Sequence, residues 1–216
     1  YPANYFRMLV TLDILKKREG VKKIFDVGCG GCEPMVELLK AGFEVDGIDF
    51  SEDMLSEGKA RLVENGFDKA RVWKDDFLNQ SKSAEEIYDA VLMLGVVGYN
   101  KDDDLTLEKV REKLRPGGVT VVEFPNELFS IFSFNRYSVD FYMNQLLDQN
   151  SLPDEIKEEM GEFFGSRFDQ NMSKEDYASR RKCLGSDLSY PTYNPLTIHE
   201  LFEKHGMRVV KNHFYH

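Results

Sequence analysis

The 216-residue sequence predicts an α/β protein, a doubly wound and mostly parallel Rossmann-like sheet with a helical insertion between the fifth and sixth strands. Three observations predict it. Short apolar, β-branched runs alternate with amphipathic helical patterns. A strand, a glycine-rich turn and a helix start follow one another over 24–39. The alternation stops after Pro125 and resumes at residue 196, so the intervening segment is an insertion.

The periodicity gives each element in turn. Helices are predicted at 5–19, 34–39, 51–66, 102–114 and 197–205, and strands at 24–27, 43–49, 70–74, 88–94, 119–124 and 207–215. The run 88–94 is apolar on both faces, which is typical of a central parallel strand. Ser51 is a predicted N-cap because acidic residues follow it in the first turn of its helix.

The insertion is rich in aromatic residues and has no pattern of a buried strand. Helical segments are predicted at 127–149, 153–164 and 173–183. We expect residues 1–125 and 196–216 to form a cofactor-binding core and residues 126–195 a helical cover that binds the substrate. Ligands of open α/β sheets bind at the carboxyl edge, where this insertion begins. A purely structural helical layer is the alternative.

Charge and composition exclude several classes of function. The formal net charge of −10 argues against a nucleic-acid partner, which requires a basic surface. No apolar run approaches the roughly 20 residues that span a bilayer, so no membrane association is expected. Three cysteines suggest a reducing, cytoplasmic environment. Cys29 and Cys32 form a C-x-x-C pair, but no second pair accompanies them and no metal site is predicted.

Polar and glycine residues follow four successive predicted strands. They are Asp26, Gly28 and Gly30 at the first strand, Asp49 at the second, Asp75, Asp76 and Phe77 after the third, and Leu94 and Gly95 after the fourth. The carboxyl ends of parallel strands meet at one edge of a sheet. Glycines suit a turn that requires positive φ or a close approach of the backbone to a ligand. These residues therefore predict a single nucleotide-like site.

Two acids in this set have a chemical role in such a site. Asp49 follows the second strand and is placed to accept hydrogen bonds from vicinal ribose hydroxyls, although it could instead cap the next helix. Asp76 is placed to accept from an exocyclic adenine amine, and the Phe77 ring to cover the adenine face. Phe50 and Met54 adjoin Asp49 and are expected in the same site.

Taken together, these motifs resemble the class I S-adenosylmethionine-dependent methyltransferases. The matching segments are 26–30, 47–51, 74–77 and the turn 114–118 before the fifth strand. The resemblance implies a Rossmann-like methyltransferase sheet, S-adenosyl-L-methionine as cofactor, Gly28 and Gly30 beside its methionine part, and Asp49 at its ribose. It is similar in detail to small-molecule methyltransferases of ubiquinone biosynthesis and sugar modification.

The chain departs from the family pattern at two places. Cys32 stands where the family often has a third glycine, so the turn is expected to differ in detail. The family sheet also ends in a seventh, antiparallel strand, whereas this sequence stops at His216. We expect residues to be missing from the C-terminus.

Two other functions compete with methyl transfer. An NAD-dependent dehydrogenase would need a glycine at Glu33, and an acid there would repel a pyrophosphate but suit the cationic methyl donor. A non-catalytic protein that binds S-adenosylmethionine or activates a partner would keep the fold. The complete set of cofactor motifs favours the enzyme.

Methyl transfer to a hydroxyl or a protonated amine also needs a general base. The candidates are Glu123, Tyr99, His199 and Tyr137. Glu123 could equally pair with an arginine, His199 lies in an apparent capping box with Thr197 and Glu200, and Tyr137 could belong to the cover. The predicted partner is a small-molecule acceptor such as a sugar nucleotide, a quinol-like phenol or a secondary metabolite. The sequence leaves a homodimer open.

Overall fold

The computed structural model describes residues 2–79, 87–97, 102–126, 143, 151–167 and 193–213. Its helices are α1 (Pro2–Lys17), α2 (Glu33–Lys40), α3 (Glu52–Glu64), α4 (Asp103–Lys113), α5 (Asp154–Arg167) and α6 (Ile198–Lys204). Its strands are β1 (Lys23–Val27), β2 (Glu44–Asp49), β3 (Arg71–Lys74), β4 (Tyr88–Met93) and β5 (Leu114–Val122). No helix in these ranges is long and apolar enough to cross a membrane.

The strands form one five-stranded sheet in the order β3-β2-β1-β4-β5. Every neighbouring pair is parallel. This confirms the predicted doubly wound α/β class. The chain order reverses between β1 and β4, and ligands of such sheets bind at the carboxyl ends of the strands beside this reversal.

Apolar side chains fill both faces of the sheet. One cluster joins Ile24 and Val45 of the sheet to Leu15, Met35 and other residues of the helices α1, α2 and α3. The opposite cluster contains Phe25, Tyr88 and Val110, and Met207 packs against it. Phe25 stacks on Tyr88 with ring centroids 4.8 Å apart. The first three helices therefore cover one face, and α4 covers the other.

Asp89 ties three elements together at the amino edge of the sheet. Its Oδ2 accepts hydrogen bonds from the backbone N–H groups of Lys22 and Lys23, both at 2.8 Å. Its Oδ1 accepts from Nε of Arg115 at 2.5 Å. Arg115 belongs to the predicted turn before the fifth strand, and β5 begins one residue earlier, at Leu114. The turn is accommodated as a register shift within β5 rather than as a separate loop.

The predicted sixth strand is wrong for the residues that the structure describes. Residues 207–213 have no strand conformation, and Met207 N–H bonds to the Phe202 carbonyl at the end of α6. The apolar pattern that suggested a strand gains little burial, because Val210 is 68% exposed. A strand is stabilised mainly by the packing of its side chains on the sheet, and an exposed side chain contributes little to that packing.

The chain divides into two compact units, one of Tyr1–Phe124 with Thr197–His216 and one of Pro125–Leu196. In the second unit, α5 confirms the helix predicted at 153–164. An isolated parallel bridge joins Asn126 to Tyr193 in the same unit. The helices predicted at 127–149 and 173–183 lie outside the described residues.

Candidate functional site

The glycine turn after β1 is attached directly to the end of β2. The backbone N–H groups of Gly28 and Cys29 both donate to the Ile48 carbonyl, at 2.8 Å and 2.9 Å. Both strands are parallel neighbours and end at this edge. The first two predicted motifs are therefore adjacent in space.

The Asp49 carboxylate links this turn to the start of α3. Its Oδ2 accepts from the Gly30 N–H at 2.9 Å, and its Oδ1 accepts from the Ser51 N–H at 2.9 Å. Ser51 is the N-cap of α3, and its hydroxyl accepts from the Met54 N–H at 3.3 Å. Asp49 is only 8% exposed. Each of its oxygens still has acceptor capacity, because a carboxylate offers about four lone-pair sites.

Both glycines of the turn have positive φ, and the protein's own packing also requires a glycine at position 28. Gly28 has φ +74°, and a Cβ built there would lie 2.3 Å from Cγ2 of Val96, which follows β4. Gly30 has φ +50°, and its Cβ would lie 3.4 Å from Cε of Met54. Close approach of a ligand is thus not the sole reason for glycine at position 28.

Cys32 has the conformation of the glycine that it replaces. Its φ is +61°, the only positive value outside glycine in the described part of the chain. The residue is fully buried and is the N-cap of α2, without a side-chain capping bond. Hydrogen bonding to Cys32 and burial raise the pKa of the Cys29 thiol far above its usual range. A thiol that stays protonated is a poor metal ligand or nucleophile, which favours a packing role for Cys29.

Glu33 is not the free acid that the sequence suggested. Its side chain pairs with Arg61 at 3.0 Å and is 63% exposed. A paired and solvated carboxylate exerts a weak field on a ligand. The electrostatic argument from Glu33 against a pyrophosphate is therefore weaker than expected, and the missing glycine at this position is the better argument.

Asp26 is a buried acid close to the turn. It is 2% exposed, and its Oδ2 has no hydrogen-bond partner among the described residues. Burial raises the pKa of Asp26 to about 7, with Asp49 adding to the rise and Arg7 opposing it. A buried oxygen without a partner is costly unless a ligand satisfies it.

Arg7 of α1 reaches the ends of β4 and β5, which the sequence analysis did not predict. It forms an ion pair with Glu123 at 2.8 Å, with both side chains about one-fifth to one-quarter exposed. A Cβ on Gly95 would lie 3.5 Å from Nη1 of Arg7 and from Oε2 of Glu123. The one available signal was an arginine on the helix face that buries Thr11 and Leu15. Pairing with an arginine is thus confirmed for Glu123, and its catalytic role stays a prediction.

The acids after β3 differ from the prediction in their environments. The Asp76 carboxylate is engaged by its own turn, accepting from the Leu78 N–H at 2.9 Å and from Asn79 Nδ2 at 2.8 Å. Asp75 instead has a buried Oδ2 without a partner in the part of the chain that the structure describes. Of the two acids, Asp75 would therefore gain more from a donor on a ligand, because its buried oxygen is costly to leave unpaired.

The Phe77 ring lies in the core rather than at an open surface. It is 5% exposed and its centroid is 6.4 Å from that of Phe25. The ring therefore offers almost no surface to an adenine, which corrects the role predicted for it. Phe50 and Met54 are 73% and 41% exposed and adjoin Asp49 and Gly30. Leu94 is half-buried, and Gly95 has φ +78°.

The remaining catalytic candidates are not brought to this edge by any observed contact. Tyr99 and Tyr137 lie outside the described residues. His199 is half-buried in the first turn of α6. Thr197 is the N-cap of α6 with helical ψ and no side-chain capping bond, so the predicted capping box is wrong. Thr197 bonds to Glu200 through its carbonyl instead, at 2.9 Å.

A groove of about 470 Å³ lies elsewhere on the same unit. Phe43, Glu44, Phe67 and Arg71 are among its lining residues, so it is at the amino ends of β2 and β3. This is the edge opposite to the glycine turn. None of the predicted site residues lines it.

Comparison with known proteins gives a consistent result for the first unit. Residues 25–120 match the profile of a methyltransferase domain. A ubiquinone biosynthesis O-methyltransferase of Mesorhizobium japonicum is 31% identical over 133 residues, which are 59% of this chain and 50% of that protein. A demethylmenaquinone methyltransferase of Bacillus subtilis is 27% identical over 207 residues, covering 94% of this chain and 78% of the relative.

A solved structure supports the fold independently. A protein of Pyrococcus horikoshii is superimposed with a TM-score of 0.51 at 21% identity, covering 60% of each chain. Similarity at this identity concerns the fold alone. The chain spans about half the length of the ubiquinone biosynthesis O-methyltransferases that it matches at 31% and 34% identity.

Proposed function

We propose that this chain is a class I S-adenosylmethionine-dependent methyltransferase, which transfers a methyl group from S-adenosylmethionine to a small-molecule acceptor. The match of residues 25–120 to a methyltransferase domain supports this family. The observation that carries the proposal is the Asp49 carboxylate. It is fixed by the N–H groups of Gly30 and Ser51 at the carboxyl edge, where a ribose would be recognised.

The charges around the turn are complementary to the two ends of the donor's methionine part. Asp26 has a buried oxygen without a partner among the described residues, and an ammonium group would satisfy it. Arg7 supplies a cation at the ends of β4 and β5, where a carboxylate would be favourable. We therefore add Arg7 to the proposed donor site, beside Gly28, Gly30 and Asp26.

The adenine end of the donor fits the surroundings of Asp49. Phe50 and Met54 are exposed apolar side chains next to Asp49, and they would cover the ring. Asp75 is the better acceptor for the exocyclic amine, since its buried Oδ2 has no partner among the described residues, whereas each oxygen of Asp76 already accepts one hydrogen bond. Phe77 would support this wall from the core without touching the ring.

The chemistry of the bound donor is carried by its own sulfonium, which supplies an activated methyl group. The protein then has to align the acceptor with that methyl group and exclude water. Glu123 follows β5 and is paired with Arg7. As the proposed base, it would leave this ion pair and take the proton of the acceptor. Tyr99, Tyr137 and His199 stay as alternative candidates. The insertion 126–195 is the proposed cover that closes over the acceptor.

The relatives and the charge of the chain support the proposed class of acceptor. The similar proteins include O-methyltransferases of ubiquinone biosynthesis and a glycine N-methyltransferase of the rat. A hydroxyl on a quinol-like phenol, sugar nucleotide or other secondary metabolite is our first choice, and an amine is the second. The net charge of −10 argues against nucleic acid. Cys29 and Cys32 are free, buried thiols, which is consistent with the reducing environment of the cytoplasm.

Calorimetric titration tests the proposal and its two rivals. We expect S-adenosylmethionine to bind with a dissociation constant in the micromolar range and NADH not to bind. Asp49→Ala should abolish donor binding, because it removes the acceptor of the Gly30 and Ser51 N–H groups. Asp53→Ala is the matched control, since it removes an exposed acid from the first turn of α3.

Each outcome of this titration assigns a function. Binding of NADH in place of the donor would replace the proposal by a dehydrogenase. Donor binding without methyl transfer to any quinol, sugar or amine acceptor would favour a non-catalytic binding protein. Binding of the donor by the wild type and by Asp49→Ala alike would place its site elsewhere.

A further inference from the structure

Helix α3 contacts the glycine turn through two residues one helical turn apart, Gly58 and Arg61. Nη1 of Arg61 donates to the Gly31 carbonyl. Nη2 of the same guanidinium pairs with Glu33 at 3.0 Å and with Glu57 at 2.9 Å. The planar guanidinium thus joins the turn, the first residue of α2 and its own helix in one arrangement.

Gly58 lets the helix backbone rest on the turn. A Cβ built at this position would lie 2.5 Å from Sγ of Cys32 and 3.0 Å from the Gly30 carbonyl oxygen. A glycine in the middle of a helix costs about 0.5–1 kcal/mol relative to alanine. The helix therefore accepts a loss of intrinsic stability where it meets the turn.

The turn needs this support because Cys32 keeps a side chain in the left-handed region. That conformation costs roughly 1–2 kcal/mol for a residue other than glycine. The Gly31 carbonyl belongs to the peptide that immediately precedes Cys32, and Arg61 holds that carbonyl. The hydrogen bond therefore restrains the peptide whose orientation the strained residue would otherwise disturb.

The same stretch of chain holds the turn from its other side. Asp49, two residues before the N-cap of α3, accepts from the Gly30 N–H, and Arg61 of α3 donates to the Gly31 carbonyl. The two flexible glycines are thus fixed in opposite directions by β2 and α3. We infer that Arg61 is a positioning residue for the methyl donor, acting through the Gly30–Gly31 segment rather than by touching the ligand. This inference rests on the proposed function.

The test compares Arg61→Met with Lys59→Met on the full chain. Methionine keeps the length and the helix propensity of the side chain but removes every donor. Lys59 is an exposed cation on the same helix, which makes the charge change equal. We expect Arg61→Met to raise the dissociation constant for S-adenosylmethionine about tenfold or more, and Lys59→Met to change it by less than about twofold.

Steady-state kinetics with an acceptor that the enzyme methylates separates an effect on donor binding from an effect on the chemical step. Arg61→Met should raise KM for the donor while kcat changes by less than about threefold, because ground state and transition state share the turn. Arg61→Lys should recover part of the affinity, since an ammonium keeps the charge and three donors but lacks the planar fork that spans all three acceptors. A purely structural role would lower the melting temperature and leave donor affinity unchanged.

Gly31→Ala approaches the same contact from the turn. A Cβ on Gly31 would lie 2.6 Å from Nη1 of Arg61, and the φ of Gly31 is not in the left-handed region. Alanine should therefore weaken donor binding by displacing the guanidinium. Added to Arg61→Met, the same substitution should cost less than about twofold, because the obstacle is gone.

The outcomes are distinct for the two claims. If the wild-type chain does not bind S-adenosylmethionine, the proposed function fails. If the wild type binds and both Arg61→Met and Gly31→Ala bind within about twofold of it, the positioning role is overturned and the proposed function stands. If Arg61→Met does not fold, Gly31→Ala and Arg61→Lys decide by the same criterion.

Discussion

Two halves of the carboxyl edge are built differently. The Asp49 half comprises the ends of β1 and β2 with the start of α3, and its carboxylate is fixed by backbone N–H groups close by. The Glu123 half comprises the ends of β4 and β5 with Arg7, and its acid forms an ion pair with this arginine, 116 positions away in the chain. Backbone donors hold a group rigidly, whereas an ion pair between side chains can exchange partners. The first half therefore suits recognition of a ligand, and the second carries the proposed base, Glu123.

The contact between the two halves should be the most sensitive point. Gly28 of the Asp49 half has φ +74° and faces Val96 of the Glu123 half, with 2.3 Å between a built Cβ and Cγ2. We expect Gly28→Ala to lower the free energy of unfolding by about 2–5 kcal/mol, as the sum of backbone strain and overpacking. Urea denaturation measures this change.

Gly66→Ala separates the two causes. Gly66 has φ +80°, but no atom lies within 4 Å of its built Cβ, so only the strain of about 1–2 kcal/mol should appear. Val96→Ala should partly restore Gly28→Ala and should not affect Gly66→Ala. Equal losses for the two glycine variants would show that the halves do not meet at Val96.

The charges of Asp49 and Arg7, one from each half, both act on the buried carboxyl of Asp26. Its titration should appear in the pH dependence of stability. Burial raises its pKa from 3.8 to about 7 in the folded protein, so folding favours the neutral form. The stability due to this group is complete below pH 3.8 and is lost as pH rises to about 7, by up to about 4 kcal/mol. Asp26→Asn should remove that fall.

The measurement is the free energy of unfolding by urea from pH 4 to 8, for the wild type and Asp26→Asn. The difference between the two curves isolates Asp26 from other titrating groups, such as Asp89, whose pKa is lowered. Parallel curves would mean that Asp26 is ionised in the folded chain, and that its oxygen has a partner before the donor binds.

Substitutions of the ion pair should separate catalysis from binding within the Glu123 half. We expect Glu123→Gln to lower kcat about 100-fold with a small change in donor affinity, because it removes the proposed base. Arg7→Met should raise the dissociation constant for the donor about tenfold, because it removes a cation from the site. Equal effects of both variants on donor binding alone would leave Glu123 without a catalytic role.

The smallest expected effect tests how the Asp49 half accommodates Cys32. Gly58→Ala should destabilise the wild type, because its Cβ would lie 2.5 Å from Sγ of Cys32. In a Cys32→Gly background the same change should cost less, because the contact with Sγ is gone and only the 3.0 Å contact with the Gly30 carbonyl oxygen opposes the higher helix propensity of alanine. A double-mutant cycle on thermal unfolding should show a coupling of about 1–2 kcal/mol. Additive effects would contradict the contact.

The sequence predicted the Asp49 half better than the Glu123 half for a physical reason. Strand, turn and helix start are local patterns, and the residues of β1, β2 and the Ser51 cap lie within 28 positions of one another. The pairing of Arg7 with Glu123 depends on how α1 crosses the sheet, which no local pattern encodes. The sequence indicates that Glu123 could pair with an arginine, but it does not identify which arginine.

The wrong details have causes of the same kind. Phe77 follows a strand end and was assigned to a ligand, but a ring next to Phe25 gains more by burial in the core. Thr197 and Glu200 are the residue types of a capping box. The Glu200 N–H, however, donates to the backbone carbonyl of Thr197 rather than to its hydroxyl. Residues 207–210 are mostly apolar, yet the exposed Val210 shows that the segment gains too little burial to become a strand.

The central claim is that the methyl donor binds on the Asp49 half, and the backbone amide signals of its two fixed N–H groups test it most directly. During titration with S-adenosylmethionine, we predict saturable NMR shifts for Gly30 and Ser51, whose N–H groups bond to Asp49. Phe43 and Phe67, which line the groove at the opposite edge, should not shift. Shifts confined to that groove, with Gly30 and Ser51 unchanged, would contradict the account.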